Sequence, residues 1–273
     1  IQGSRRDFLS KTALASVAMP LLPGTISAAF NNTPTSNPLP MNADISKSLI
    51  GQYGPWLASQ MQDPPKLSFR NDIWSNIEDW KPSAHAKAQE QIGEPLIKET
   101  ITVTVKRKYN YDGLHIEELT WQLPYGRPVE AIFMKPENST GKLPAILGLH
   151  DHAGKKYFGN RKITKTSDNQ HPLIVEHQKS DYEGRAWANE MAKRGYAVLV
   201  HDAFSFASRR VFYEDMAGIE WGPLKAEGRT DENPEDVRNI EAYNEWAGHH
   251  EHVMAKSLFS AGTSYTGMVL AED

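Results

Sequence analysis

The chain has no cysteine. Disulfides, thiolate nucleophiles and thiolate metal sites are therefore excluded, while the redox compartment stays open. It has no unbroken apolar stretch reaching the roughly 18 residues that suggest a membrane span. It also lacks a basic excess: the formal net charge is −4, which leaves no electrostatic footprint for nucleic acid. No internal repeat occurs at solenoid periods. What is there is ordinary for a globular protein, with 39% hydrophobic and 23% charged residues. A length of 273 residues allows one large α/β domain or two smaller ones.

The first residues read as an address. Ser4-Arg5-Arg6-Asp7-Phe8-Leu9-Ser10-Lys11 closely resembles the twin-arginine export motif. A modestly apolar run follows from Thr12 to Leu22, and Ser27-Ala28-Ala29 offers small residues for cleavage. The resemblance implies a signal peptide over 1–29, passage through the twin-arginine translocase, and a periplasmic or extracellular location. Residues 30–42, rich in Asn, Pro, Ser and Thr, read as a flexible leader. The chain begins at Ile1 and stops at Asp273 within a helix-like stretch, so a longer parent protein is expected.

Residues 43–98 carry helical signals interrupted by Pro64-Pro65 and Pro82. Two pieces are expected, Asn71 to Trp80 and Ser83 to Ile92, the second with Ser83 as N-cap and Gly93 after its end. From Glu99 the period changes to two. Ile101, Val103 and Val105 alternate with polar residues, Asn110-Tyr111-Asp112-Gly113 marks a turn, and Leu114 to Leu123 reads as the returning strand. Val129 to Met134 reads as a third strand. Leu143 to His150 is apolar at successive positions, as expected of a parallel strand buried on both faces. A helix over Gly184 to Arg194 ends at Gly195, and Tyr196 to Val200 is the next buried strand. A right-handed crossover makes these two strands parallel. Residues from about 203 to 233 look like a surface excursion, and Asn233-Pro234 opens a long helical region. The fold class expected is α/β, with antiparallel strands leading into a parallel βαβ core that carries helices on both faces.

The strongest chemical signal is the turn that ends the Leu143–His150 run, His150-Asp151-His152-Ala153-Gly154. An acyl-transfer enzyme must stabilise the negative oxygen of a tetrahedral intermediate, and fixed backbone N–H groups do so without reorganisation. Small, turn-tolerant residues such as Ala153-Gly154 let those amides point inward. His152 is the first candidate donor, through its backbone N–H, and Asp151 the second. His150 and Gly154 are candidate substrate contacts. The competing reading is an ordinary strand-to-loop junction.

Leu-His-Asp-His-Ala-Gly-Lys-Lys-Tyr-Phe-Gly (149–159), Gly-Arg-Ala-Trp-Ala-Asn-Glu-Met-Ala-Lys-Arg-Gly-Tyr (184–196) and Val-His-Asp-Ala-Phe-Ser-Phe-Ala-Ser-Arg-Arg (200–210) occur in that order. Ala-Gly-Thr-Ser-Tyr-Thr-Gly-Met-Val-Leu-Ala-Glu-Asp (261–273) follows them. Together they resemble a bacterial α/β-hydrolase family of dienelactone-hydrolase-like or acetyl-xylan-esterase-like proteins, over residues 45–273. Members often carry glycine where this chain has Ala153. The resemblance implies an incomplete α/β-hydrolase domain over 99–273, with the turn supplying an oxyanion-hole amide. No G-x-S-x-G turn occurs in the 273 residues. The resemblance implies that the catalytic serine, acid and histidine lie beyond Asp273.

Other constellations are weaker. Gly262-Thr-Ser-Tyr-Thr-Gly267 is one residue too long for a nucleophile turn and follows a helical pattern, so Ser264 reads as a helix-start residue. His249-His250-Glu251-His252 does not match the spacing of helical zinc ligands, and no metal or cofactor is expected. His201-Asp202 ends a parallel strand, where open α/β sheets place their sites, so Asp202 either lines a pocket or caps the next turn. Arg209-Arg210 could meet an acidic group, with Arg209 the candidate substrate contact.

The function expected is an exported serine hydrolase cleaving a small ester or an acylated carbohydrate through an acyl-enzyme. The chain alone is expected to be inactive. The alternatives are a same-fold peptidase and a non-catalytic or metal-assisted carbohydrate-binding protein.

Overall fold

The computed structural model describes residues 48–273 except Trp221, Asn233 and Pro234. The export motif, the leader and the Asn233-Pro234 helix start lie outside the described residues. The chain divides into two compact units, residues 1–88 and 89–273.

In the first unit α1 spans Tyr53–Ser59 and buries no side chain. Trp80 packs against Phe69 with ring centroids 5.6 Å apart and donates its indole N–H to the Leu67 carbonyl at 2.8 Å. Instead of two helices broken at Pro82, one helix, α2, runs Ile77–Ile92 with Pro82 inside it. Proline this near the helix start forfeits one amide bond, and the helix continues through it. Ser83 is accordingly an interior residue rather than an N-cap.

The second unit holds a five-stranded sheet. Strands β1 (Thr104–Tyr111), β2 (Leu114–Trp121), β3 (Val129–Pro136), β4 (Ala145–Leu147) and β5 (Ala197–His201) lie in the order β1-β2-β3-β5-β4. The first three form an antiparallel meander, β3 and β5 are antiparallel, and β4 and β5 are parallel. The parallel pair is the βαβ unit read from the two apolar runs. It is built around α4, Trp187–Lys193, which Gly195 leaves at φ +100°. A helix not foreseen, α3 over Pro172–Asp181, lies between them, started by Pro172 after the N-capping His171 side chain.

Register explains the main core. Ile116 opposes Met134, which opposes Val198, and Ile132 opposes Val200, so these side chains share one face. Ala188 and Ala192 of α4 and Ile163 cover them. Each such aliphatic side chain contributes about 1.5–3 kcal/mol on burial. Gly148 extends this face, and a Cβ there would meet the Val200 side chain at 2.9 Å, so glycine lets the strand lie close under the helix.

On the other face Leu147 and Leu149 are 42% and 53% exposed. The expectation of a strand buried on both faces fails here because β4 has a single neighbour, β5, in the described sheet. The long C-terminal helical region is two helices, α5 (Val237–Ser260), capped by Asp236, and α6 (Tyr265–Glu272). Ser264 caps α6, accepting from the Gly267 amide at 2.9 Å and donating to the Ile92 carbonyl. It is a helix-start residue.

Candidate functional site

Beyond β4 the backbone bends at the carboxyl end of the parallel pair. Ala153 and Gly154 take left-handed conformations, φ +41° and +67°. What fixes the turn is a lysine. Lys162, fully buried in the 3-10 turn Asn160–Lys162, donates to the carbonyls of Asp151 and His152 at 2.7 and 3.0 Å. In a planar trans peptide the N–H points opposite to the C=O. The amides of His152 and Ala153 therefore face away from Lys162, side by side. Neither donates to an acceptor among the described residues, whereas the Gly154 amide is taken by His152 Nδ1 at 3.1 Å. Two adjacent amides without a protein acceptor, at the end of a parallel strand, are candidate donors to an anion.

The side chains around the turn are committed to holding it. His150 Nδ1 meets the Asp151 carbonyl at 3.1 Å and its Nε2 accepts from the Ala203 amide at 3.2 Å, which ties β4 to the exit of β5. Burial pushes the His150 imidazole down to about 4, so it is neutral at pH 7. Asp151 Oδ1 accepts from Tyr182 and lies 3.0 Å from His177 Nε2, while Lys162 sits 3.8 Å from Oδ2. Burial opposes the Asp151 charge, but the Tyr182 hydrogen bond and the Lys162 charge outweigh it and hold the carboxyl below its usual range. His152 Nε2 lies 2.9 Å from both carboxylate oxygens of Glu251, on α5.

Glu251 reaches a second buried lysine as well. Lys156 Nζ is 3.2 Å from the Glu251 carboxylate, 3.1 Å from Ser205 Oγ and 2.6 Å from the Tyr265 hydroxyl. Lys156 and Lys162 stand 3.9 and 4.4 Å from the centre of the Phe206 ring. Burial pushes each ammonium down to about 8. The turn is thus backed by two desolvated cations gathered around one aromatic ring.

The remaining candidates fall into place differently. Asp202, fully buried, accepts from the Asn160 amide at 2.7 Å, the Asn160 side chain at 2.8 Å and the Ser208 amide at 3.1 Å. Burial raises its carboxyl above the usual range. It staples two loops and also borders a cavity that no residue of 150–154 lines. Gly159 makes that staple possible, since a Cβ there would meet Asp202 Oδ1 at 2.1 Å. Gly154 has open space around it.

Arg209 is not available to a substrate. Its guanidinium is buried and gripped by Glu272 at 3.0 and 2.6 Å, with a further bond to the Arg127 carbonyl. Its charge is met by the Glu272 carboxylate inside the fold, and the Tyr125 and Arg127 carbonyls accept from the same guanidinium. In the histidine cluster His250 stacks on Trp246 at 5.3 Å, and only Glu251 turns towards the site. Among the described residues no three metal-ligating side chains converge. Sequence reasoning missed Lys156, Lys162, Glu251 and His177. The aromatic pair Tyr157-Phe158 beside Lys156 was the one local sign that this basic segment is drawn inward.

The mixed sheet, its parallel β4–β5 unit and the turn at its carboxyl end define an α/β-hydrolase-like fold. Among solved structures the chain is similar to a protein from Bacteroides fragilis assigned as an acetyl xylan esterase. The TM-score is 0.55 and the identity 16%, over 83% of this chain and 49% of the other. It is also matched to the glucuronoyl esterase of Solibacter usitatus, at TM-score 0.33 and 14% identity over 67% of this chain and 50% of that one. The chain spans about half the length of these two structures. No family profile and no curated protein matches the sequence.

Proposed function

We propose that the turn 150–154 is the oxyanion-stabilising element of a serine ester hydrolase. The observation that carries this reading is the pair of free amides, His152 and Ala153, turned outward by Lys162 at the end of a parallel strand. Loops after such strands are where α/β sheets bind ligands and where this fold places an oxyanion donor. The similarity to a protein assigned as an acetyl xylan esterase supports a small ester or acylated carbohydrate as substrate.

On this reading the attacking serine, its histidine and the orienting carboxylate belong to sequence outside these 273 residues, and no cofactor takes part. The Arg5-Arg6 motif supports export through the twin-arginine translocase to a periplasmic or extracellular location. Within the chain His152 and Ala153 hold the developing oxyanion. Lys162 positions them, and His150 ties the turn to the exit of β5.

The test uses the product of the complete gene. It is expected to hydrolyse p-nitrophenyl acetate, to be blocked by a fluorophosphonate, and to leave peptide amides intact. Cleavage of a peptide amide in preference to the ester, or activity untouched by the fluorophosphonate, would contradict the reading. A reporter fused to residues 1–42 tests the address: Arg5→Lys with Arg6→Lys is expected to keep it in the cytoplasm.

A further inference from the structure

Beside the meander, and away from the turn, lies an open cavity of about 810 Å³ bordered by β1, β2, β3 and the loops around Asn160, His171 and Ser208. No residue of 150–154 lines it. Its volume is that of a small-molecule site. The walls carry charge of both signs, and the pairing is almost complete. Lys106 meets Glu130 at 2.8 Å, Arg161 meets Glu235 at 2.9 Å, and Glu118 accepts from Tyr109 at 3.0 Å. Arg127 is held from outside by Glu214 and Asp215.

Two wall groups are exceptions: Asp202, a buried carboxylate met by neutral N–H donors, and Arg210. Among the described residues no carboxylate lies within 4.0 Å of it. Glu235 is committed to Arg161 and interacts with Arg210 only electrostatically. Among the described residues the Arg210 guanidinium donates to one acceptor, the Ala207 carbonyl at 2.9 Å. Its Nε is buried without a partner, as is that of Arg127. Both guanidiniums lie 3.9 Å from the centre of the same ring, Phe212, and Arg210 also lies 4.7 Å from Tyr157.

We propose that this cavity is a binding site for an oxyanion carried on a sugar-sized molecule, a carboxylate or a phosphate, with Arg210 as its principal contact. A guanidinium held by aromatic faces loses little freedom when it binds, and its planar fork matches both groups. The aromatic neighbours stabilise the cation without neutralising it, so the positive charge stays unspent and faces the cavity. An anion there pairs with a positive charge that meets no carboxylate among the described residues. Arg209, one residue earlier, has already spent its charge on Glu272.

The experiment is calorimetric titration of the product of the complete gene at low ionic strength with sodium D-glucuronate, with inorganic phosphate and with neutral D-glucose. At least one anion is expected to saturate a single site that glucose does not occupy. Glucuronate alone identifies a sugar acid, and phosphate alone a phosphate ester. In Arg210→Met, checked for folding by circular dichroism, binding is expected to weaken about tenfold or more. If that variant does not fold, Arg210→Lys decides. It keeps the charge but loses the fork, and a loss of about threefold or more supports the site. Absence of saturable binding by either anion overturns the proposal, as does equal binding of glucose. Undiminished affinity in whichever variant decides overturns it too.

Discussion

The ammonium of Lys162 donates to the carbonyl of His152 at 3.0 Å. With the preceding carbonyl held as well, at 2.7 Å, one buried side chain sets the direction of two successive peptide planes. Lys162→Met removes that clamp, leaves two carbonyls without their donor and takes a positive charge from beside the Asp151 carboxylate. The expected cost is about 2–4 kcal/mol, read as a lower urea midpoint at unchanged slope. A folded variant that loses less than about 0.5 kcal/mol would mean that the turn keeps its shape unaided.

The same burial has an alkaline signature. Lys156 and Lys162 lose their protons near 8 in the folded state, against 10.5 for the ordinary side chain. Between those values the unfolded chain binds more protons, so the free energy of unfolding rises with pH. Denaturation at pH 8 and 9.5 is expected to show a gain on the order of 1 kcal/mol per lysine, reduced in Lys162→Met. A flat or falling curve would contradict the burial of these cations.

His150 gives the acid counterpart. Its folded value is about 4, against 6.5 unperturbed, because burial disfavours the imidazolium. From 6.5 down to about 4 the unfolded chain takes up a proton that the folded chain refuses, and stability falls with pH. The loss from this group between pH 7 and 5 is about 2 kcal/mol. His150→Gln, which keeps a donor and an acceptor, is expected to lose correspondingly less over that interval. An unchanged pH dependence would place the acid sensitivity elsewhere.

Two glycines separate close approach from backbone strain. Gly159→Ala drives a Cβ into Asp202 Oδ1 at 2.1 Å, and thermal unfolding is expected to show a cost of about 1–3 kcal/mol. Gly154→Ala meets nothing within 4 Å and carries only its φ of +67°, for about 1 kcal/mol. The reverse order would mean that the Asp202 staple yields more easily than the turn.

The parallel pair was legible because β4 and β5 are short apolar runs separated by a helix with a glycine stop. The turn at Asn110–Gly113 placed the first hairpin, but the alternation of Ile101, Val103 and Val105 did not mark a buried face: Ile101 and Val103 precede β1 and all three are exposed. The Pro82 break was misread because proline usually ends or kinks a helix, whereas α2 runs through it in its second turn, and α3 went unseen within a motif-free stretch. At the site the turn itself announced its backbone, but its supports come from residues 10 to 100 positions away. Nothing local distinguishes Lys162 or Glu251 from surface charge. Only the fold tells Arg209, turned into the core against Glu272, from Arg210, turned towards a cavity.

The measurement closest to the central claim compares His152→Ala with His152→Pro in the product of the complete gene. Alanine keeps the backbone N–H and removes the Glu251 contact, so most of the ester turnover is expected to survive. Proline removes one of the two free amides, and turnover is expected to fall about a hundredfold or more with the fold intact by circular dichroism. Equal and severe losses in both folded variants would move the role to the imidazole. Full activity in a folded proline variant would contradict the assignment of this turn as the oxyanion site.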